Sequence, residues 1–124
     1  MQVMTFGIKS EREAFREFVD AVKAAKSGRS RSGPKEAVYF TSLAAVRNFL
    51  TPKRLDLLHL IKARNPKSLY ALAKFATRSF PSVLKDVELL SQHGLVKLSK
   101  EKKSPRKSIH ARVSYDAIHL YIGV

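Results

Sequence analysis

The stretch that decides the fold runs from residue 68 to residue 99, SLYALAKFATRSFPSVLKDVELLSQHGLVKLS. Ser68 has the chemistry of a helix N-cap, and Leu69, Leu72, Ala73 and Ala76 follow at the spacing of one helix face. This first helix is short and rich in alanine, so a second helix can cross it closely. The polar turn Thr77–Ser79 redirects the chain. Phe80-Pro81 opens the second helix, because proline is favoured in a helix's first turn, and Val83, Leu84, Val87 and Leu90 are its inward stripe. His93-Gly94 ends it, glycine being the preferred residue just past a helix. From Leu95 the apolar period changes from 3.6 to 2, which predicts a strand over Leu95–Ser99.

Working outward, Thr51-Pro52 supplies another N-cap followed by proline, and Leu55, Leu58 and Ile61 carry a helix to about Arg64. Asn65-Pro66 stops it. Downstream, KEKKSPRKS at residues 100–108 is polar and basic, and Ile109–Tyr115 is a second strand, so the two strands form a hairpin with a long basic tip. Ile118, Leu120, Ile122 and Val124 alternate in a last strand, able to pair with the first strand or with another subunit. Upstream, Met4, Phe6 and Ile8 alternate as in a strand. Ser10 and Glu13 then have the spacing of a capping box. Phe15, Phe18, Val19, Val22 and Ala25 mark an amphipathic helix, with Glu13, Arg16, Glu17, Asp20 and Lys23 on its other side. SGRSRSGPKE at residues 27–36 is a loop or linker by its glycines and proline. Ala37–Thr41 is a strand, and Ser42 caps a short helix through Leu50.

Helix, helix, tight turn, helix and hairpin is the order of a winged helix-turn-helix. The expected class is α+β. Residues 50–124 form the winged helix-turn-helix, and residues 1–49 a strand-helix-strand-helix extension that serves as a dimer or partner surface together with the last strand. In such a motif the first turns of the second helix reach base edges in the major groove of duplex DNA. The candidate DNA contacts there are Arg78, Ser79, Ser82 and Lys85. Lys100, Lys102, Lys103, Arg106 and Lys107 of the hairpin tip would meet the flanking backbone or minor groove. Asp86 stands beside them, and an acid at a DNA surface is costly unless paired, so a salt bridge to a neighbouring base is its expected role.

The charge pattern agrees. The 124 residues hold 24 Lys and Arg against 10 Asp and Glu, a formal net charge of +14. Residues 1–50 carry nine basic and five acidic side chains, and residues 51–124 carry fifteen and five. Seven basic residues lie between Lys97 and Arg112, with Glu101 alone against them. A folded domain this basic usually meets a polyanion, and the excess places that site in the second half.

Residues 50–99 also resemble a prokaryotic MarR-like winged-helix family of DNA-binding regulators. The matching stretches are LTPKRLDLL, SLYALAK, SVLKDVELL and HGLVKL. The resemblance implies a DNA-binding regulator, of a kind sometimes encoded beside a partner gene and read as an antitoxin. It places Ser82, Lys85 and Asp86 at exposed recognition-helix positions. The chain differs from typical MarR proteins in the strand before its first helix and in ending on a β segment instead of a long dimerisation helix.

Other classes find little support. The chain has no cysteine, which excludes disulfides, thiolate metal sites and cysteine nucleophiles. His59, His93, His110 and His119 have no metal-ligand spacing, so no metal or cofactor is expected. No glycine-rich phosphate loop, nucleophile elbow or acid pair argues for an enzyme. Tyr39, Tyr70, Tyr115 and Tyr121 are dispersed and make no stacking platform for single strands. No apolar run reaches the 18 or so residues of a membrane span. Charges at Lys9, Glu11, Arg12 and Glu13 precede any leader-like core, so a cytoplasmic location is expected. The leading expectation is a sequence-specific regulator of double-stranded DNA, acting as a homodimer and repressing its own gene. The alternative is an antitoxin whose front half holds a toxin protein and whose rear half represses the operon.

Overall fold

The computed structural model describes residues 1–26, 37–100 and 109–123. It is a mixed α and β structure, of the α+β class, and it divides into two compact units. One comprises residues 1–2 and 50–116, the other residues 3–49 and 117–124. One division between the units falls between residues 49 and 50. The far end is corrected: residues 117–124 belong to the unit built on the N-terminal strand and not with residues 50–116.

The unit of residues 3–49 and 117–124 is a three-stranded, wholly parallel sheet in the order β2-β1-β5 with two helices. Its elements are β1 (Val3–Ile8), α1 (Glu11–Lys26), β2 (Ala37–Phe40), α2 (Leu43–Phe49) and β5 (Ala117–Ile122). Met4 and Phe6 of β1 are buried, and Phe6 is fully enclosed. Phe6 packs at ring-centroid distances of 5.3 Å from Phe40 and 5.9 Å from Phe49, an aromatic cluster that seals one face of the sheet. Val46 and Phe49 are the buried residues of α2, and Ser42 Oγ caps that helix by accepting from the Ala45 amide at 3.1 Å.

The other face of β1 is shaped by Gly7. A Cβ there would lie 2.7 Å from the Tyr39 ring, which also has Lys9 Nζ 3.5 Å from its centroid. Lys9 is also paired with Glu17 of α1. Gly7→Ala is therefore expected to cost about 1–2 kcal/mol, because the ring must leave its place. A thermal melt equal to that of the parent chain would show the contact to be free to relax.

Helix α1 departs from expectation. Its ends are as read, with Ser10 Oγ accepting from the Glu13 amide at 3.1 Å, but its apolar stripe does not enter a core. Phe15 is 68% and Phe18 64% exposed, and Val22 is also exposed. The half-buried positions are instead Glu17, Val19, Ala21 and Ala24. Residues 27–36, expected to be a loop, lie outside the described residues.

The unit of residues 1–2 and 50–116 holds α3 (Pro52–Arg64), α4 (Leu69–Ala76), α5 (Phe80–Gln92) and the antiparallel pair β3 (Lys97–Ser99) and β4 (His110–Arg112). The caps at Thr51 and Ser68 are those the sequence announces, and Ser79, read there as a turn residue and DNA contact, caps α5. Thr51 Oγ1 accepts from the Arg54 amide, Ser68 Oγ from Ala71 and Ser79 Oγ from Ser82. Asn65 and Thr77 end α3 and α4 in the left-handed conformation at φ 43° and 56°. Gly94, at φ 79°, turns the chain out of α5.

Its core is Leu57, Leu58 and Ile61 of α3, Leu69, Leu72 and Ala73 of α4, and Val83, Val87 and Leu90 of α5, closed by Leu95, Val96 and Ala111. One inward residue of α3 is corrected. Leu55, expected on the buried stripe, is 36% exposed, and Leu57 is fully enclosed in its stead. The Leu69 amide donates to Ile109 O at 2.9 Å and ties α4 to the entry of β4. Asp116 closes the unit by accepting from the Gln2 amide and from Lys62 Nζ. Those two contacts, the Gln2 amide first, hold the Asp116 carboxyl below its ordinary value.

Candidate nucleic-acid interface

The N-termini of α3 and α5 open onto one cleft. Each of these helices begins with an N-cap hydroxyl and a proline in its first turn, and neither has an acidic residue there. The positive ends of both helix dipoles are thus left uncompensated, an arrangement that favours an anion. The cleft has a volume of about 610 Å³ and is lined by Lys53, Arg54, Arg78, Ser82, Lys85 and Asp86, with Thr51-Pro52 at one edge. Four of these side chains are basic and one is acidic.

Asp86 organises the cluster. Its Oδ1 accepts from Arg54 Nε at 3.1 Å and its Oδ2 from Arg78 Nη2 at 2.6 Å. All three side chains are more than four-fifths buried. Burial alone would push the Asp86 carboxyl up, but the hydrogen bonds from Arg78 and Arg54 more than offset it and hold it below the ordinary carboxylate value. Arg78 Nη2 also donates to Ser82 Oγ at 2.6 Å. The other terminal nitrogen of Arg78, Nη1, is enclosed and has no hydrogen-bond partner among the described residues. A buried guanidinium donor without an acceptor is rare in folded proteins, and an oxygen-rich anion entering the cleft is one way to complete it.

The structure brings Arg78, Ser82 and Lys85 together on this cleft. Lys85 and Ser82 are exposed, whereas Arg78 is largely buried and committed to Asp86. Ser79 is exposed and serves as the α5 cap. Lys100 is exposed after β3 and does not line the cleft. Lys102, Lys103, Arg106 and Lys107 lie outside the described residues. Asp86 holds the kind of salt bridge expected of it, but with two arginines. Arg54, 32 residues away in sequence, is the partner that the sequence reading missed. Its one sequence signal is position: it is the third residue of a helix begun by Thr51-Pro52.

The histidines have local roles. His93 Nδ1 lies 3.1 Å from Leu89 O, and His110 Nε2 lies 3.2 Å from Asn65 Oδ1. Among the described residues no three His, Asp or Glu side chains gather as metal ligands. Among the described residues no helix is long and apolar enough to cross a membrane.

The HVO_A0114 family model matches residues 49–120, more than half of the chain. The chain belongs to the HVO_A0114 family. No curated protein matches it.

Proposed function

We propose that this protein is a transcriptional regulator that binds double-stranded DNA in a sequence-specific manner, with residues 50–116 acting as a winged helix-turn-helix, and that it represses its own gene as a homodimer. In this reading α4 is the positioning helix, α5 enters the major groove with Ser82 and Lys85 leading, and the β3–β4 pair is the wing. The observation that carries it is the cleft at the N-termini of α3 and α5, where four basic side chains face a single acid and an enclosed arginine nitrogen has no acceptor among the described residues. The +14 charge of the chain and the resemblance of residues 50–99 to MarR-like regulators support it. Division of labour follows from burial. Arg78 and Arg54, clamped on Asp86, position the start of α5 and offer charge to a phosphate, while exposed Lys85, and Ser82 through the hydroxyl proton it keeps while accepting from Arg78, would read bases.

Binding to DNA from the protein's own promoter, against scrambled DNA across a salt series, tests the proposal. The expected result is a preference of about a thousandfold or more for the promoter. Lys85→Ala or Ser82→Ala is expected to lower that preference by about 1–3 kcal/mol, while the salt slope stays within one charge of the parent's. Equal binding to both DNAs would sink the reading.

One observation favours a second reading, that of an antitoxin. The bare stripe of Phe15, Phe18 and Val22 is a surface for another protein. Co-purification with the product of an adjacent gene decides for it, and loss of that product on Phe18→Asp would locate the contact on α1.

A further inference from the structure

Strand β5 ends the parallel sheet, and no strand among the described residues pairs with its outer edge. Natural sheets defend such edges with lysine, proline, a bulge or a covering loop. This edge has none of the side-chain defences. Residues 117–123, AIHLYIG, contain no Lys, Arg, Asp, Glu or Pro. Leu120, Tyr121 and Ile122 are 45%, 68% and 48% exposed. The edge at the other side of the sheet is different. β2 is four residues long, its Phe40 ring is built into the Phe6–Phe49 cluster, and its Tyr39 ring contacts Gly7 and Lys9.

We infer that β5 pairs with β5 of a second copy of this chain, antiparallel across a two-fold axis, joining two three-stranded sheets into one of six strands. This inference names the interface for the homodimer part of the function proposed above, and it is independent of what the cleft binds.

Three arguments commit the edge to a second copy. The first is charge. Two chains of +14 repel, so a contact between copies needs a stretch without formal charge, which residues 117–123 provide. The second is register. In an antiparallel pair, residues directly opposite share a face. A two-fold axis at Leu120 sets Leu120 against its own copy, Ile118 against Ile122 and His119 against Tyr121, with every pair uncharged. An axis at His119 would instead set Asp116 against Ile122, which costs the desolvation of a carboxylate already held by Gln2 and Lys62. The strand is therefore self-complementary about Leu120. The third is area. With roughly 200 Å² for an aromatic side chain and somewhat less for an aliphatic one, the three exposed side chains amount to about 300 Å² per copy. Doubled for two copies this is about 600 Å², to which the paired backbone edges add, an interface at the small end of the specific range.

The absence of cysteine makes the test clean. In Leu120→Cys each new thiol lies opposite its own copy, within disulfide reach of a directly paired position. Mild oxidation of the full chain is expected to convert most of it to a disulfide-linked dimer on a non-reducing gel. Thr41→Cys, exposed and remote from the axis, is expected to stay unlinked. Light scattering is expected to give twice the chain mass for the parent and a single chain mass for Leu120→Lys, with an unchanged circular dichroism spectrum. A parent chain that is monomeric at about 100 μM overturns the inference. So does a dimer in which Leu120→Cys fails to cross-link. If Leu120→Lys fails to fold, the cysteine result alone decides. A monomer that still prefers its own promoter removes the interface and leaves the DNA reading intact. A cross-linked dimer without promoter preference does the reverse.

Discussion

Asp86→Asn is expected to lower the unfolding free energy at pH 7 by about 3 kcal/mol. The substitution keeps the size of the side chain and removes its charge. It leaves Arg54 and Arg78 side by side, each more than four-fifths buried, with no carboxylate between them. Removing one partner of a buried ionic cluster costs far more than the cluster contributes when intact, because the remaining charges stay desolvated. Replacing Arg78 by Met and Asp86 by Leu together is accordingly expected to cost less than Asp86→Asn alone. The pH dependence has a definite sign. The folded-state pKa of Asp86 lies below the unfolded one, so its contribution is complete above the unfolded carboxylate value and is lost as the pH falls through the folded value. Urea titrations of parent and variant should differ most at neutral pH, begin to approach one another below about pH 4, and converge only below the depressed folded-state value, where a protonated Asp86 resembles Asn. A variant within 0.5 kcal/mol of the parent at pH 7, taking ~0.5 as the spread of ordinary surface substitutions, would remove the cluster from the account of how α5 is positioned.

The second large effect separates two neighbouring leucines. Leu57→Ala is expected to cost about 3–4 kcal/mol, the range for an enclosed leucine whose cavity cannot fully collapse. Leu55→Ala is expected to cost less than about 1 kcal/mol, since Leu55 is more than a third exposed. Denaturant midpoints for the two variants, with m-values unchanged, measure the difference directly. The reverse order would restore the simple spacing Leu55, Leu58, Ile61 as the buried stripe of α3.

That pair of residues also shows where periodicity stops being informative. Leu55, Leu57 and Leu58 all fall within a helix turn of one another, and spacing alone admits either Leu55 or Leu57 beside Leu58. The choice depends on where α4 and α5 lie, which helical spacing does not encode. Helix α1 is a stronger case. Its stripe of Phe15, Phe18 and Val22 is a sound amphipathic signal, yet the positions shielded within its own unit include the small residues Ala21 and Ala24. A hydrophobic stripe says that burial is favourable. It does not say against what, and an intermolecular partner meets the condition as well as an intramolecular core.

The candidate site was legible in part for the same reason. Ser79, Ser82 and Lys85 follow from the start of α5 and are a matter of local geometry. Asp86 as a paired acid follows from the cost of a lone carboxylate among bases. Arg54 does not follow, because its partner is 32 residues distant and becomes adjacent only when α3 packs beside α5.

The sequence by itself determined the elements of residues 50–99, because their signals act over three or four residues. Thr51, Ser68 and Ser79 cap their own helices, the two prolines fit first turns, and Gly94 takes the left-handed turn after α5. Only the tertiary structure decided that β5 lies parallel to β1, some 114 residues away, and so joins the last strand to the unit of residues 3–49. Strand pairing is made by backbone amides and carbonyls that every residue carries. An alternating strand therefore announces that it will pair, and only the folded chain selects the edge it pairs with.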